Sequence, residues 1–170
     1  MKGIIAVIIA ALIGGVVYMK FFTSDFTIET QPEFYAAVKT VTIENANTSN
    51  QIEATFNEIL EIYSPKSQRG IVRTVGIEDG QFTFQIGYTV NSPDETVPES
   101  MEVITIAETT AAQLIVTGPY TESYKSFPKL SAKVKEAGLK VTGPAYQLFF
   151  DDPAQVDANS LKAALVFPVE

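Results

Sequence analysis

The stretch from Leu114 to Pro153 constrains the fold of this chain more than any other part of the sequence. A β-branched run at its start predicts a strand, which Gly118-Pro119 ends. Apolar residues at steps of three and four then predict a helix that carries Tyr124, Phe127, Leu130, Val134 and Ala137. Gly138 stands where a left-handed C-terminal cap would fall, and a second strand is expected from Val141 to Phe150. This order of elements indicates an α+β domain.

Short motifs in this stretch and at the end of the chain resemble those of one family. They are Gly118-Pro119-Tyr120, Leu130, Gly138-Leu139, Gly143-Pro144, Asp152-Pro153 and Phe167-Pro168-Val169. On these residues the chain resembles the GyrI-like effector-binding domains, which are related to the SOUL proteins and to the ligand-binding halves of some bacterial multidrug-responsive transcription factors. The resemblance extends over residues from about 26 to 170 and is stronger after residue 104. It implies two halves paired about a pseudo-twofold axis, with a ligand groove at the seam between them.

The sequence also repeats its own pattern once. Thr27-Ile28 recurs 78 positions later as Thr105-Ile106. We expect repeat one at about 26–90, a polar linker at 91–100 and repeat two at about 101–170. The predicted fold class is therefore α+β, with two pseudo-symmetric strand-helix-strand-strand repeats, antiparallel sheets that face each other, and the groove at their seam.

Local signals place the helix and the hairpin of repeat one. Asn50 and Glu53 have the spacing of a capping box, which predicts a helix start at Asn50, and Pro65 ends that helix. Two apolar runs then flank Glu78-Asp79-Gly80, which predicts a β-hairpin.

The N-terminal segment predicts a membrane anchor. Residues 3–19 carry no charge and stand between Lys2 and Lys20. With the two phenylalanines that follow, the apolar run approaches the roughly 20 residues that span a bilayer. We expect an uncleaved transmembrane anchor at 1–22 before a domain at 23–170. A cleaved signal sequence is the alternative, but no small residues mark a cleavage site. The positive charge before the span favours a domain on the extracytoplasmic, periplasmic side.

Composition excludes several classes of chemistry. The chain has no cysteine and no histidine, so it lacks thiolate nucleophiles and the commonest general base and metal ligand. No cofactor, metal site or catalytic residue is therefore expected. Ten basic and 20 acidic residues follow the anchor and give the domain a formal charge of −10. That charge opposes binding to nucleic acid.

Aromatic side chains are the main candidates for a binding site. The chain has 11 phenylalanines and 7 tyrosines, and a tyrosine offers a flat apolar face plus one hydroxyl. The candidates that lie on predicted strands or strand ends near the seam are Tyr35, Tyr88, Tyr120, Tyr124, Tyr146, Phe149 and Phe167. The alternative for each is an ordinary core position, because aromatic residues favour strands in general.

Carboxylates near the seam are further candidates for the binding site. The resemblance implies a glutamate on the last strand about four residues before the proline, but Ala164 stands at that place. Glu108 or Glu29 is a possible substitute, and we include Glu108 in the predicted ligand site. The pair Asp151-Asp152 is typical of turn chemistry, in which an aspartate accepts a bond from the backbone two residues later.

The sequence leads to a membrane-anchored, non-enzymatic domain that binds small apolar or amphipathic molecules, cationic ones included. A protein-interaction or scaffold module at the membrane is the alternative, and a large side chain filling the seam would favour it. A hydrolase is a second alternative, since the resemblance includes a few enzymes. It requires a carboxylate that faces an aromatic ring across the groove, and Ala164 argues against it.

Overall fold

The computed structural model describes residues 26–44, 48–65 and 69–170. In these residues eight strands form one curled antiparallel sheet: β1 Phe26–Gln31, β2 Phe34–Glu44, β3 Gly70–Glu78, β4 Gln81–Val90, β5 Glu102–Ile106, β6 Thr109–Thr117, β7 Tyr146–Phe149 and β8 Lys162–Pro168. The helices are α1 Thr48–Ile62, α2 Tyr120–Ser123 and α3 Phe127–Glu136. A 3-10 turn at Tyr124–Ser126 joins α2 to α3, and another at Ala158–Ser160 precedes β8.

The strand order is β1-β6-β8-β7-β3-β4-β2-β5. If β1 is exchanged with β5, β2 with β6, β3 with β7 and β4 with β8, the same order results, read from the opposite edge of the sheet. The topology therefore has the symmetry that the predicted duplication requires. The expectation of two separate sheets was wrong, because β3 pairs with β7 and joins both halves into one sheet.

One face of the sheet carries the helices. Ile59 of α1 packs against Phe84 and Ile86 of β4, and the side chains of Leu130 and Val134 from α3 pack against Leu114 of β6. Each helix therefore covers the strands of its own half. Both helices are amphipathic. The helix predicted to carry Tyr124 to Ala137 begins only at Phe127, and of its predicted stripe Leu130 and Val134 are buried, whereas Tyr124 and Ala137 are exposed.

The opposite face is buried although neither helix covers it. Side chains from both halves form one cluster there, including Ala36 and Val38 of β2, Ala164 and Val166 of β8, and Tyr146 of β7. Such burial requires the sheet to curl until this face packs upon itself, and small residues such as Ala36 and Ala164 permit the close approach. The expected hollow between two facing layers is therefore a packed core.

Several local predictions can be compared with the structure. The hairpin is confirmed, with Asp79 and Gly80 at φ angles of 48° and 79° between β3 and β4. The cap after α3 is confirmed, because Gly138 has a φ of 71°. The predicted capping box at Asn50 was wrong in position, since α1 begins at Thr48. The strand expected from Val141 is only an isolated bridge there, and β7 begins at Tyr146.

The described residues include no helix with the length and hydrophobicity needed to cross a bilayer. The predicted anchor at 1–22 lies outside them.

The contact between β2 and β4 depends on the absence of a side chain at Gly87. A Cβ there would lie 1.9 Å from the carbonyl oxygen of Ala37, so the backbone would have to move. We expect Gly87→Ala to lower the free energy of unfolding by about 3 kcal/mol or more, measured by urea denaturation. Gly76→Ala is the matched control, because a Cβ at Gly76 would lie 3.4 Å from its nearest neighbour, the side chain of Thr83. The expected loss in the free energy of unfolding is about 1 kcal/mol or less. Equal losses in the two variants would contradict this account of the β2–β4 contact.

Tyr146 provides a second stability test. Its side chain is 1% exposed, and no group in the described residues forms a hydrogen bond with its hydroxyl. Burial raises the pKa of Tyr146 to about 12. Because an unfolded tyrosine ionises near pH 10, unfolding releases a proton above that pH, and the free energy of unfolding falls as pH rises from about 10 to 12.

We therefore expect Tyr146→Phe to raise the free energy of unfolding by about 1 kcal/mol at pH 7, because it removes an unsatisfied buried hydroxyl. It should also reduce the alkaline loss of stability by about 2 kcal/mol. Urea denaturation at several pH values measures both quantities. Tyr124→Phe, at a side chain that is 47% exposed, serves as control and should change the pH 7 value by less than about 0.5 kcal/mol. A loss of stability in Tyr146→Phe at pH 7 would show that the hydroxyl has a partner.

Candidate functional site

A cavity of about 1090 Å³ lies on the helix-bearing face of the sheet. Its floor includes residues from β3 and β7, the two strands that join the halves. Residues of α1 line one side, and residues of α2 and of the loop 151–158 line the other. The volume is at the upper end of the usual range for small-molecule sites.

Four aromatic rings pack around Gly70 at the floor of this cavity. Phe56 of α1 meets Tyr88 and Phe149 edge to face, with centroid distances of 5.5 and 6.0 Å. The ring centroids of Tyr120 and Phe149 are 4.5 Å apart, and the two ring planes make an angle of 45°. Gly70 of β3 pairs with Tyr88 on β4 and with Phe149 on β7. Gly70 has no side chain, and the ring of Phe56 lies 3.4 Å from where its Cβ would be. These rings present flat apolar surface to a ligand.

The hydroxyl of Tyr120 is used by the protein itself. It accepts a hydrogen bond from the N–H of Asp151 at 2.9 Å and lies within donating distance of the carbonyl oxygens of Asp151 and Lys162, at 2.9 and 3.2 Å. Burial is the main reason that the pKa of Tyr120 is raised. The side chain therefore fixes α2 to the loop before β8 and offers its ring to the cavity.

A polar pair lies beside the aromatic floor. Gln147 of β7 lines the cavity and is 8% exposed. Its Oε1 accepts a hydrogen bond of 2.7 Å from the Oγ of Ser123 in α2. The same Oγ lies 2.8 Å from the carbonyl oxygen of Tyr120. The single hydroxyl proton of Ser123 serves one of these two acceptors at a time, and the shorter contact is the one to Gln147.

Among the described residues, the charged ones that line the cavity are acidic: Glu53, Asp151 and Asp152. Asp152 accepts bonds from the N–H of Ala154 and from Nε2 of Gln155, both at 2.8 Å, which confirms the predicted turn. Burial raises the pKa of Tyr88, and the negative charge of Asp152 raises it further. The described residues contain no group of three acidic side chains that could hold a metal ion.

The structure brings four of the candidate residues together. The cavity is lined by Tyr88, Tyr120, Tyr124 and Phe149. Tyr35, Glu108, Tyr146 and Phe167 lie elsewhere. Whether any of the predicted residues contacts a ligand stays a prediction.

The positions outside the cavity have separate physical reasons. Tyr35 packs at the edge of the core and donates its hydroxyl to Glu33 at 2.7 Å. Glu108 is exposed between β5 and β6. Phe167 packs against Phe127 beneath α3, with a centroid distance of 5.5 Å. Tyr146 lies in the core on the opposite face of the sheet, as does Ala164, at the place where the resemblance implies a glutamate.

Sequence reasoning missed Phe56 and Gln147 as residues of the cavity. The helical spacing of Phe56 predicts only that it lies on the apolar face of its helix, and no local signal separates a core position from a cavity wall. Gln147 had a usable signal, because side chains alternate between faces along a strand. If Phe149 faces the ligand, Gln147 shares that face and Tyr146 cannot. The arrangement as a whole can hold a flat apolar molecule and offer it a few polar contacts.

Comparison with known proteins agrees with this geometry. The sequence model of the GyrI-like small molecule binding domain matches residues 24–170. A search of curated proteins finds no match. The fold is similar to the crystal structure of the EcmrR C-terminal domain, with a TM-score of 0.67 and 14% identity, over 88% of this chain and 99% of that one.

Two further solved structures share the fold. SAV2435 bound to tetraphenylphosphonium has a TM-score of 0.60 and 14% identity, over 85% of this chain and 93% of that one. A hydrolase encoded by lin2189 from Listeria innocua has a TM-score of 0.52 and 12% identity, over 89% and 96%. At these identities the structural likeness establishes the fold alone. Because the family match spans nearly the whole described region, the chain belongs to the GyrI-like small-molecule-binding domain family.

Proposed function

We propose that this chain binds small apolar or amphipathic molecules, cationic ones included, in the cavity over β3 and β7, without catalysing a reaction. The observation that carries the proposal is the cavity itself, with its aromatic floor and its acidic rim. Family membership supports the general class of function. The ligand of SAV2435, tetraphenylphosphonium, is an aromatic cation and supports the chemistry proposed for this chain.

Charge favours cations over anions in this cavity. Glu53, Asp151 and Asp152 line it, whereas no lysine or arginine is among its described lining residues. Aromatic faces attract cations as well, through the negative potential over the ring. The formal charge of −10 on the chain after the anchor adds a long-range attraction at low salt.

The open cavity also separates this proposal from the two alternatives. A scaffold module would be favoured by large side chains that fill the seam, and here the helix-bearing side of the seam is open. A hydrolase is represented among the structural relatives by the lin2189 protein. That activity needs a carboxylate that faces an aromatic ring across the groove. Asp151 and Asp152 accept backbone hydrogen bonds from Lys162, at the start of β8, and from Ala154, and Glu53 is exposed on α1.

We further propose that residues 3–22 anchor the domain to a membrane, with the domain on the extracytoplasmic side. The uncharged segment and the position of the first lysines in the sequence support this proposal. An anchor would hold the cavity close to the bilayer, where apolar molecules accumulate.

The ligand test uses two nearly isosteric ions of opposite charge, tetraphenylphosphonium and tetraphenylborate. We expect the cation to bind the full chain at least about tenfold more tightly than the anion, because the cavity rim is acidic. Isothermal titration calorimetry at two salt concentrations measures both affinities. Equal binding of the two ions, or tighter binding of the anion, would show that the acidic rim does not select the ligand.

Matched variants locate the site of this binding. Phe149→Leu removes a ring from the cavity floor and should weaken the binding of tetraphenylphosphonium by about three- to tenfold. Phe34→Leu makes the same change at a residue that packs with Tyr146 on the opposite face, and it should leave the affinity within about twofold. If both variants bind like the unmodified chain, the ligand lies outside the cavity.

The anchor test compares the full chain with a chain that begins at Thr23. We expect the full chain to sediment with membranes and to resist extraction by alkaline carbonate, because a spanning helix is held by its apolar length. The shortened chain should remain in the supernatant. A full chain that carbonate extracts completely would contradict the anchor, and protease accessibility of the domain in intact cells would give its side of the membrane.

A further inference from the structure

Gln147 is an unusual residue for the floor of an apolar cavity. It is about nine-tenths buried, and its neighbours across β3 and β8 are Val72 and Leu165, both apolar. Its next neighbour on the same face of β7 is Phe149. A buried amide costs free energy unless its donors and acceptor find partners, so its presence calls for a physical reason.

The bond with Ser123 gives a partner to the oxygen of the Gln147 amide but not to its nitrogen. Ser123 Oγ donates to Oε1 of Gln147 at 2.7 Å. An amide carries two N–H donors on Nε2 in addition to this acceptor. With Oε1 toward Ser123, Nε2 is the other branch of the same amide, and Gln147 is one of the polar side chains that line the cavity among the described residues.

We infer that Gln147 makes the cavity selective for flat apolar molecules that carry a hydrogen-bond acceptor, such as a ketone oxygen, over equally large hydrocarbons. The inference rests on the proposed function and names the class of ligand for the same site. A ligand carbonyl beside Phe149 accepts a hydrogen bond from Nε2 while the aromatic rings hold the flat skeleton. The amide then has all its groups paired in the complex.

A purely structural role for the Ser123–Gln147 pair leads to a different expectation. The bond would then only attach α2 to the sheet, and its loss would change stability without changing the relative affinity of two ligands. The ratio of affinities for two ligands that differ in one acceptor therefore separates the two roles.

The experiment uses fluorene and 9-fluorenone, which share one flat skeleton and differ by a ketone in place of a methylene. Dissociation constants are measured for the purified full chain and for Gln147→Leu. The quantity of interest is the preference for fluorenone over fluorene in each protein. Differences in the hydration of the two compounds cancel when the preferences are compared.

We expect the preference for fluorenone to fall about tenfold in Gln147→Leu, with fluorene bound as tightly as before or more tightly. Gln147→Met repeats the test with an unbranched side chain, in case the branched one does not fold. Gln113→Leu is the matched control, since Gln113 lies on β6 outside the cavity near Glu29, and its preference should equal that of the unmodified chain.

The outcomes distinguish this inference from the function on which it rests. If both compounds bind and the preference is unchanged in Gln147→Leu and Gln147→Met, the inference is wrong and the proposed function stands. The same holds if tetraphenylphosphonium binds but neither tricyclic compound does. If none of the three binds, both the inference and the proposed function are wrong.

Discussion

The pairing of β3 with β7 is the contact on which the rest of the structure depends. Only four residue pairs form it, from Gly70 with Phe149 to Arg73 with Tyr146, yet it joins the two halves into one sheet. The helix α1 covers the first half and α3 covers the second. Because each helix packs on the strands of its own half, space remains over the joining strands, with the ring of Phe56 from α1 beside it. The cavity lies in the space that remains between them.

Alternation along the strands then decides what each face can do. The face without helices must fill itself when the sheet curls, and Ala36, Val38 and Ala164 are small enough to allow it. The helix-bearing face keeps its larger rings, because Phe56 reaches down from α1 and rests over Gly70. One sheet therefore has a packed core on one side and an open aromatic floor on the other.

This alternation also explains how far the sequence could predict the site. The element order, the hairpin at Asp79-Gly80 and the turn at Asp152 follow from local signals, and all three are present. The face to which a strand residue points is a tertiary property, since it depends on where the helices pack. Tyr146 and Phe149 look equivalent as strand aromatics, but only Phe149 lies on the side left open between α1 and α2. The same reason hid Gln147, because glutamine is mostly exposed in proteins and only the packing of the helices puts it at a cavity.

The position of Ala164 connects the family resemblance to the chemistry of this particular chain. A carboxylate at that place would be buried in the core formed by the two halves, where the described neighbours are apolar and ionisation is costly. Alanine avoids that cost and lets the sheet curl tightly, so polar recognition must come from the other face. There the carboxylate of Asp151 accepts a bond from the N–H of Lys162 in β8 and that of Asp152 accepts a bond from Gln155, while Gln147 lines the cavity as a neutral amide. An amide does not titrate, so recognition through Gln147 is independent of pH in a way that recognition through a buried carboxylate is not.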